Sequence, residues 1–203
     1  MVKTGLVFAA VPGLAGAGLL AWGWLPAGLV LVGLAAFVLF FFRDPERSIP
    51  AAAGAIVSPA DGRVLGVDEE TRDGQAFTRI SIFLSIFDVH VNRSPIAGAV
   101  AGVHYRPGRF HLASRHEAGR ENEMNEVTLE GEGTRVVVRQ IAGLLARRIE
   151  FWKKPGDQLA RGERLGMIRF GSRVELLLDP RCRVEVRPGE HVSGGASILA
   201  RRA

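Results

Sequence analysis

One cysteine, one tyrosine and three lysines in 203 residues set the first limits on what this chain can do. A lone Cys182 excludes intrachain disulfides and cysteine-cluster zinc sites. In RCRVEVR it alternates with Val184 and Val186, opposite Arg181, Arg183, Glu185 and Arg187, which is the pattern of a core thiol rather than a nucleophile. No stripe of arginine and lysine interleaved with aromatics is present, which argues against nucleic-acid binding. No His-x-His or His-x-x-x-Asp pair lies near a second histidine, so a metallopeptidase-like metal site is disfavoured too.

Charge is missing altogether from Thr4 to Phe42, while all 21 acidic residues follow that stretch. A single helix through it would run to roughly 58 Å, far more than a bilayer core of about 30 Å. The break falls at WGWLPAG, where two tryptophans suit a membrane interface and Pro26 suits the first turn of a second helix. The reading is therefore a helical hairpin within residues 1–47, with helices near 5–22 and 25–42, either spanning or re-entering one leaflet. Lys3 before it and Arg43 and Arg47 after it place both ends on the cytoplasmic side of a cell membrane. A signal peptide cut after Ala15-Gly16-Ala17 would leave a further apolar stretch behind, so it explains the leader less well. After residue 42 there are 25 basic and 21 acidic residues, and this excess of +4 suits an anionic leaflet surface.

Residues 48–203 read as a mainly β domain, with short strands between glycine and proline turns: 55–58, 63–68, 78–87, 97–104, 126–130, 134–142, 147–152, 165–169, 173–178 and 182–187. The charged segment 116–125 reads as a loop or a short helix. PGDQLARGERLG at 155–166 returns as PGEHVSGGASIL at 188–199. With VSPADGRVLGV at 57–67, this phrasing resembles the barrel-sandwich fold of biotinyl and lipoyl carrier domains. Carriers need a lysine on an exposed hairpin turn, and here only Lys153 and Lys154 are near one, so the resemblance supports the fold more than a carrier role.

Gly171-Ser172 lies directly before an apolar strand in RFGSRVELLL. A serine after glycine is usually part of a turn, yet here the backbone is held by the strand and the glycine leaves its carbonyl open to close approach. Attack of the Ser172 hydroxyl on that carbonyl would be intramolecular, with a large effective concentration. Of five histidines, His90 ends the long strand-like run ISIFLSIFDVHVNRSP beside Asp88, Asn92 and Arg93. It is either a base at a strand edge or a core histidine sharing parity with Ile82, Leu84 and Ile86. His111 and His116, in FHLASRHEAGREN, read as solvated. Asp61 in SPADG either bonds its own turn or orients a histidine.

SPADG at 58–62, FDVHVNRSP at 87–95 and FGSRVE at 170–175, in this order behind an apolar hairpin and FFRDPER, resemble the short form of the phosphatidylserine decarboxylase proenzyme family over the whole chain. The resemblance implies self-cleavage at Gly171-Ser172 into a β chain of residues 1–171 and an α chain of residues 172–203 that stay associated. Ser172 would become a covalent pyruvoyl group, with no metal. That group would form a Schiff base with phosphatidylserine, release carbon dioxide and leave phosphatidylethanolamine. Ser172, His90 and Asp61 would be the catalytic residues. Long-form members carry a second histidine where this chain has Arg93, which implies that His90 serves both steps or that another base matures the chain. Arg93 would bind the substrate carboxylate or phosphate, or pair with Asp88. GRENEMN at 119–125 resembles a family segment ending in Glu-Arg-Asn, with Met124 for the arginine, and suggests no role of its own. The competing reading is a membrane-tethered barrel-sandwich adaptor without catalysis.

Overall fold

A computed structural model of the protein describes residues 2–72, 74–115, 117–144, 148–169 and 171–202. The chain divides into two compact units, Met1–Glu46 and Arg47–Ala203.

In the first unit, helix α1 (Lys3–Ala21) and helix α2 (Leu25–Phe41) are joined across Trp22–Trp24, with Pro26 in the first turn of α2. Small residues form the seam: Gly5, Ala9, Gly16, Gly28 and Ala35 are buried, and a side chain at Gly16 would press on the backbone of Gly28 and Val32. Phe8, Phe41 and Phe42 close the open end, with Phe42 5.9 Å from Phe8 and 5.2 Å from Phe41 between ring centres. Leu6, Val7, Val11, Leu14, Leu29 and Val30 face outward and exposed, an arrangement that suits lipid better than water. By length and composition α1 can cross a membrane, whereas α2, at 17 residues, is shorter.

The second unit is built from strands. The first seven are β1 (Ala55–Val57), β2 (Gly62–Arg72), β3 (Gln75–Leu84), β4 (Val91–Arg93), β5 (Gly98–Arg106), β6 (Met124–Gly131) and β7 (Thr134–Ile141), with a short helix α3 (Ala118–Glu121) before β6. Then come β8 (Ile149–Phe151), β9 (Gln158–Leu159), β10 (Arg164–Ile168), β11 (Ser172–Leu178), β12 (Arg183–Val184), β13 (His191–Val192) and β14 (Ile198–Arg201). One antiparallel sheet of eight strands runs β13-β2-β3-β11-β7-β6-β5-β9, and two sheets of three strands run β1-β14-β12 and β4-β10-β8. A single apolar cluster joins them. Ile80, Ile82, Leu84, Val127, Leu129, Val136, Val138, Val174 and Leu176 come from one face of the large sheet, and Ile56, Leu165, Ile168, Leu199 and Ala200 from the small ones. The architecture is mainly β behind a helical pair, as the sequence implies.

The two repeat copies fold alike. Each Pro-Gly-acid turn leads into a two-residue strand, β9 or β13, that pairs with an edge of the large sheet, and then into β10 or β14 at the centre of a small one. Expected strands 78–87, 147–152 and 182–187 come out clearly shorter. Strand 78–87 ends at Leu84, because Ser85–Asp88 forms a turn in which Asp88 accepts from both the Ser85 backbone and its hydroxyl at 2.7 Å. Strand 182–187 is reduced to β12, although Glu185 N still donates to Leu199 O at 2.8 Å in register with the pairing to β14. Cys182 is buried, and burial raises its thiol pKa above the usual range.

Candidate active site

β11 lies between β3 and β7, so both its edges are taken up by ladder hydrogen bonds. Its side chains alternate: Val174, Leu176 and Leu178 enter the core, and Ser172, of the same parity, begins the strand on that inner face. Ser172 is fully buried, and its Oγ has no hydrogen-bond partner among the described residues. A buried hydroxyl in that condition costs about 1–3 kcal/mol relative to a bonded one, a cost that functional sites tolerate. Gly171 takes φ +60°, with open space where a side chain would stand. Its carbonyl is thus turned out of regular strand geometry directly before the serine.

The backbone brings His90 to the same corner. Ser172 pairs with Leu84, and the Ser85–Asp88 turn carries the chain from Leu84 to His90. The His90 carbonyl in turn accepts from Ile168 N at 3.4 Å, and Ile168 ends the strand that leads back to Gly171. The parity argument that made His90 a neighbour of Ile82 and Leu84 does not apply, because the turn interrupts the strand. His90 is fully buried, and its Nδ1 lies 3.0 Å from the Asp88 carbonyl oxygen. A carbonyl only accepts, so Nδ1 donates there, and in the neutral form of the ring Nε2 is the basic nitrogen.

Asp61 is buried at the end of the SPADG turn, where Oδ2 accepts from Arg47 at 2.7 Å and Oδ1 from the Gly194 backbone at 2.7 Å. It therefore ties the turn to the second repeat copy instead of bonding its own backbone. Asp88 bonds its own turn through Oδ2 and also reaches the second repeat copy, with Oδ1 2.9 Å from His191 Nε2. Arg93 is buried on β4, its backbone N donating to Pro59 O at 2.9 Å and its Nη1 to Gly162 O at 3.1 Å. Asp88 has Ser85 and His191 as partners rather than Arg93. Half-buried His111 has Nε2 3.0 Å from Glu121, and His116 lies outside the described residues. Among the described residues no group of three or more His, Cys, Asp or Glu side chains is placed to hold a metal ion.

The phosphatidylserine decarboxylase family model matches residues 34–200. The chain is 51% identical over 203 residues to a phosphatidylserine decarboxylase proenzyme from Solibacter usitatus, covering 100% of this chain and 97% of that one. It is 50% identical over 178 residues to a proenzyme of the same name from Symbiobacterium thermophilum, covering 86% of this chain and 83% of that one. The chain belongs to the phosphatidylserine decarboxylase family.

A polar feature of this family member escaped the sequence reading. Asn125 donates to Gln140 at 3.0 Å and Gln140 to Asn92 at 2.9 Å, a buried amide chain from β6 through β7 to β4. Asn125 shares parity with Val127 and Leu129, and Gln140 with Val136 and Val138, so a polar residue on a core-facing position was the available signal. Gln140 pairs with Val174, one step along the inner face from Ser172. The side of β4 that carries Asn92 is thus turned toward the inner face of β11.

Proposed function

We propose that the chain is a phosphatidylserine decarboxylase that matures by cutting itself between Gly171 and Ser172. The observation that carries this reading is the buried hydroxyl of Ser172, unbonded among the described residues, behind a left-handed glycine in a chain of this family. Ser172 Oγ bonds to the Gly171 carbonyl carbon as the Gly171–Ser172 C–N bond breaks, and the hydroxyl proton passes through a base to the freed amine. Loss of the Ser172 α proton then expels the Gly171 carboxylate. Water replaces ammonia on the resulting enamine and leaves a ketone, the pyruvoyl group, on residue 172. Residue 172 fits that origin, since it opens a strand held on both edges and needs no partner on its hydroxyl.

His90 is the base that takes the hydroxyl proton on Nε2, with the Asp88 carbonyl fixing its tautomer. Asp61, paired with Arg47, braces the SPADG turn and holds the C-terminal segment through Gly194. The pyruvoyl ketone supplies an electrophile for the amine of phosphatidylserine and an electron sink for loss of carbon dioxide, giving phosphatidylethanolamine without a metal. Arg93 is the proposed partner for the substrate carboxylate or phosphate. The apolar helices anchor the enzyme to the cell membrane, with the β unit on the cytoplasmic side.

After the cut, residues 172–203 stay bound to residues 1–171, because β11, β13 and β14 each pair with strands of the larger piece. Denaturing mass spectrometry of the purified protein is expected to show two chains divided at 171/172, the smaller resistant to Edman degradation. Ser172→Ala is expected to remain one chain. A wild-type chain that stays whole would defeat the reading.

A further inference from the structure

We propose that Gly143 and Asn122 form the seat of the scissile carbonyl and are positioning residues for the self-cleavage. This rests on the cut at Gly171-Ser172 proposed above. β7 ends at Ile141, opposite Arg173, and its continuation passes alongside Gly171. There the Gly171 carbonyl points at the Cα of buried Gly143, and a Cβ built on residue 143 would overlap the Gly171 carbonyl oxygen. That same Cβ would lie 3.5 Å from Ala113 Cβ, so the loop closes the other side. Gly143 shows no left-handed φ, and its need for glycine is steric: the carbonyl occupies the place of a side chain.

Asn122 holds both walls of that seat. Its side chain is fully buried and makes three hydrogen bonds. Oδ1 accepts from His111 N at 2.8 Å, and Nδ2 donates to His111 O at 2.9 Å and to Ala142 O at 2.8 Å. One amide therefore locks the loop that carries Ala113 to the peptide adjoining Gly143. On the far side, Arg173 Nη1 donates to Arg115 O at 3.4 Å, so the loop is pinned on both flanks of residue 172. Asn122 belongs to the GRENEMN segment, for which the proposed reaction otherwise has no use. Fixing the direction of the Gly171 carbonyl fixes the face that its carbon offers to Ser172 Oγ, and a misplacement of about 1 Å in such an attack costs on the order of 100-fold.

The test follows freshly synthesised precursor in detergent by denaturing gel and then measures decarboxylation per cut chain. Gly143→Ala is expected to cut ~100-fold more slowly, and Asn122→Asp, which loses both Nδ2 donations, ~10-fold more slowly. In both, decarboxylation per cut chain should stay within about twofold of wild type, since the Gly171 carboxylate is a free chain end after the cut. Hydroxylamine, which cleaves esters, should not restore the cut in Gly143→Ala, because the ester does not form. The proposal is overturned if folded Gly143→Ala cuts at the wild-type rate, if hydroxylamine restores cutting, or if decarboxylation per cut chain falls in step with cutting. If Gly143→Ala does not fold, Asn122→Asp decides by the same three readings. A wild-type chain that never cuts is a different result, and it removes the underlying reading.

Discussion

The inner face of β11 carries Ser172, Val174 and Leu176 against an apolar core, while its outer face carries Arg173 and Glu175 in a field of charge. Glu175 lies 2.8 Å from Arg173 and 3.4 Å from Arg139, and Arg139 reaches Glu70 at 2.8 Å and Glu126 at 2.9 Å. Arg79 adds an ion pair to Glu70 at 3.0 Å, and Arg72 one to Glu126. These side chains stand on β2, β3, β11, β7 and β6, five neighbouring strands of the large sheet. Under the cut proposed above, the difference separates two demands on a strand that begins at the new chain end. The outer face ties β11 across the sheet, which would hold it through the proposed cut, and the inner face leaves one hydroxyl without a partner among the described residues.

The largest effect that would break this division belongs to the inner corner. His90→Ala is expected to slow self-cleavage by ~10²–10⁴-fold, the usual contribution of a general base, while the thermal midpoint of the precursor moves little. The rate of chain separation on a denaturing gel reads the first, and thermal unfolding in detergent the second. If the cut proceeds at the wild-type rate, the proton goes to another group and the tautomer fixed by Asp88 has no catalytic meaning.

The opposite profile is expected on the outer face. Arg139→Met leaves Glu70, Glu126 and Glu175 without a shared cation, and removing one partner from a buried ionic cluster costs about 3–5 kcal/mol. The midpoint in denaturant should fall accordingly, with cleavage at low denaturant slowed no more than a few-fold. A large loss of cleavage in a well-folded Arg139→Met chain would show that the outer cluster reaches through the strand to the chemistry.

The two faces also differed in how far the sequence disclosed them. Ser172 could be read because a Gly-Ser pair before an apolar strand is local information. So could the helical pair, announced by the uncharged run to Phe42 and its break at WGWLPAG. The outer cluster spans residues 70 to 175 and exists only through strand pairing, although Arg173 and Glu175 at one parity of an apolar strand were its trace. Asp61 was visible as a turn residue, but its partners Arg47 and Gly194 lie 14 and 133 residues away in the chain. His90 was singled out by its company, whereas its orientation depends on a turn that the continuous apolar run concealed. The contact between Gly143 and Gly171 is one of absence, a missing side chain filled by another residue's backbone, and no spacing announces it.

The smallest effect is acid sensitivity, and it sharpens the comparison because the outer face carries the titratable pairs. Burial of Glu126 pushes its carboxyl upward, but hydrogen bonds from Arg72 and Arg139 outweigh that and hold it below the ordinary 4.5. A carboxyl depressed in the folded state contributes stability that is present above its unfolded pKa and is lost as pH falls through the folded one. The cluster should therefore weaken below about pH 4.5 and not on the alkaline side. Unfolding free energies of wild type and Glu126→Gln from urea titrations, compared from pH 7 to pH 3, are expected to converge by ~1 kcal/mol as the pH drops, since the variant has no proton to take up at that site. Parallel curves would mean that Arg139 is held mainly by Glu70 and Glu175, and the fastening of β11 would then rest on one strand fewer than the geometry spans, leaving β6 outside it.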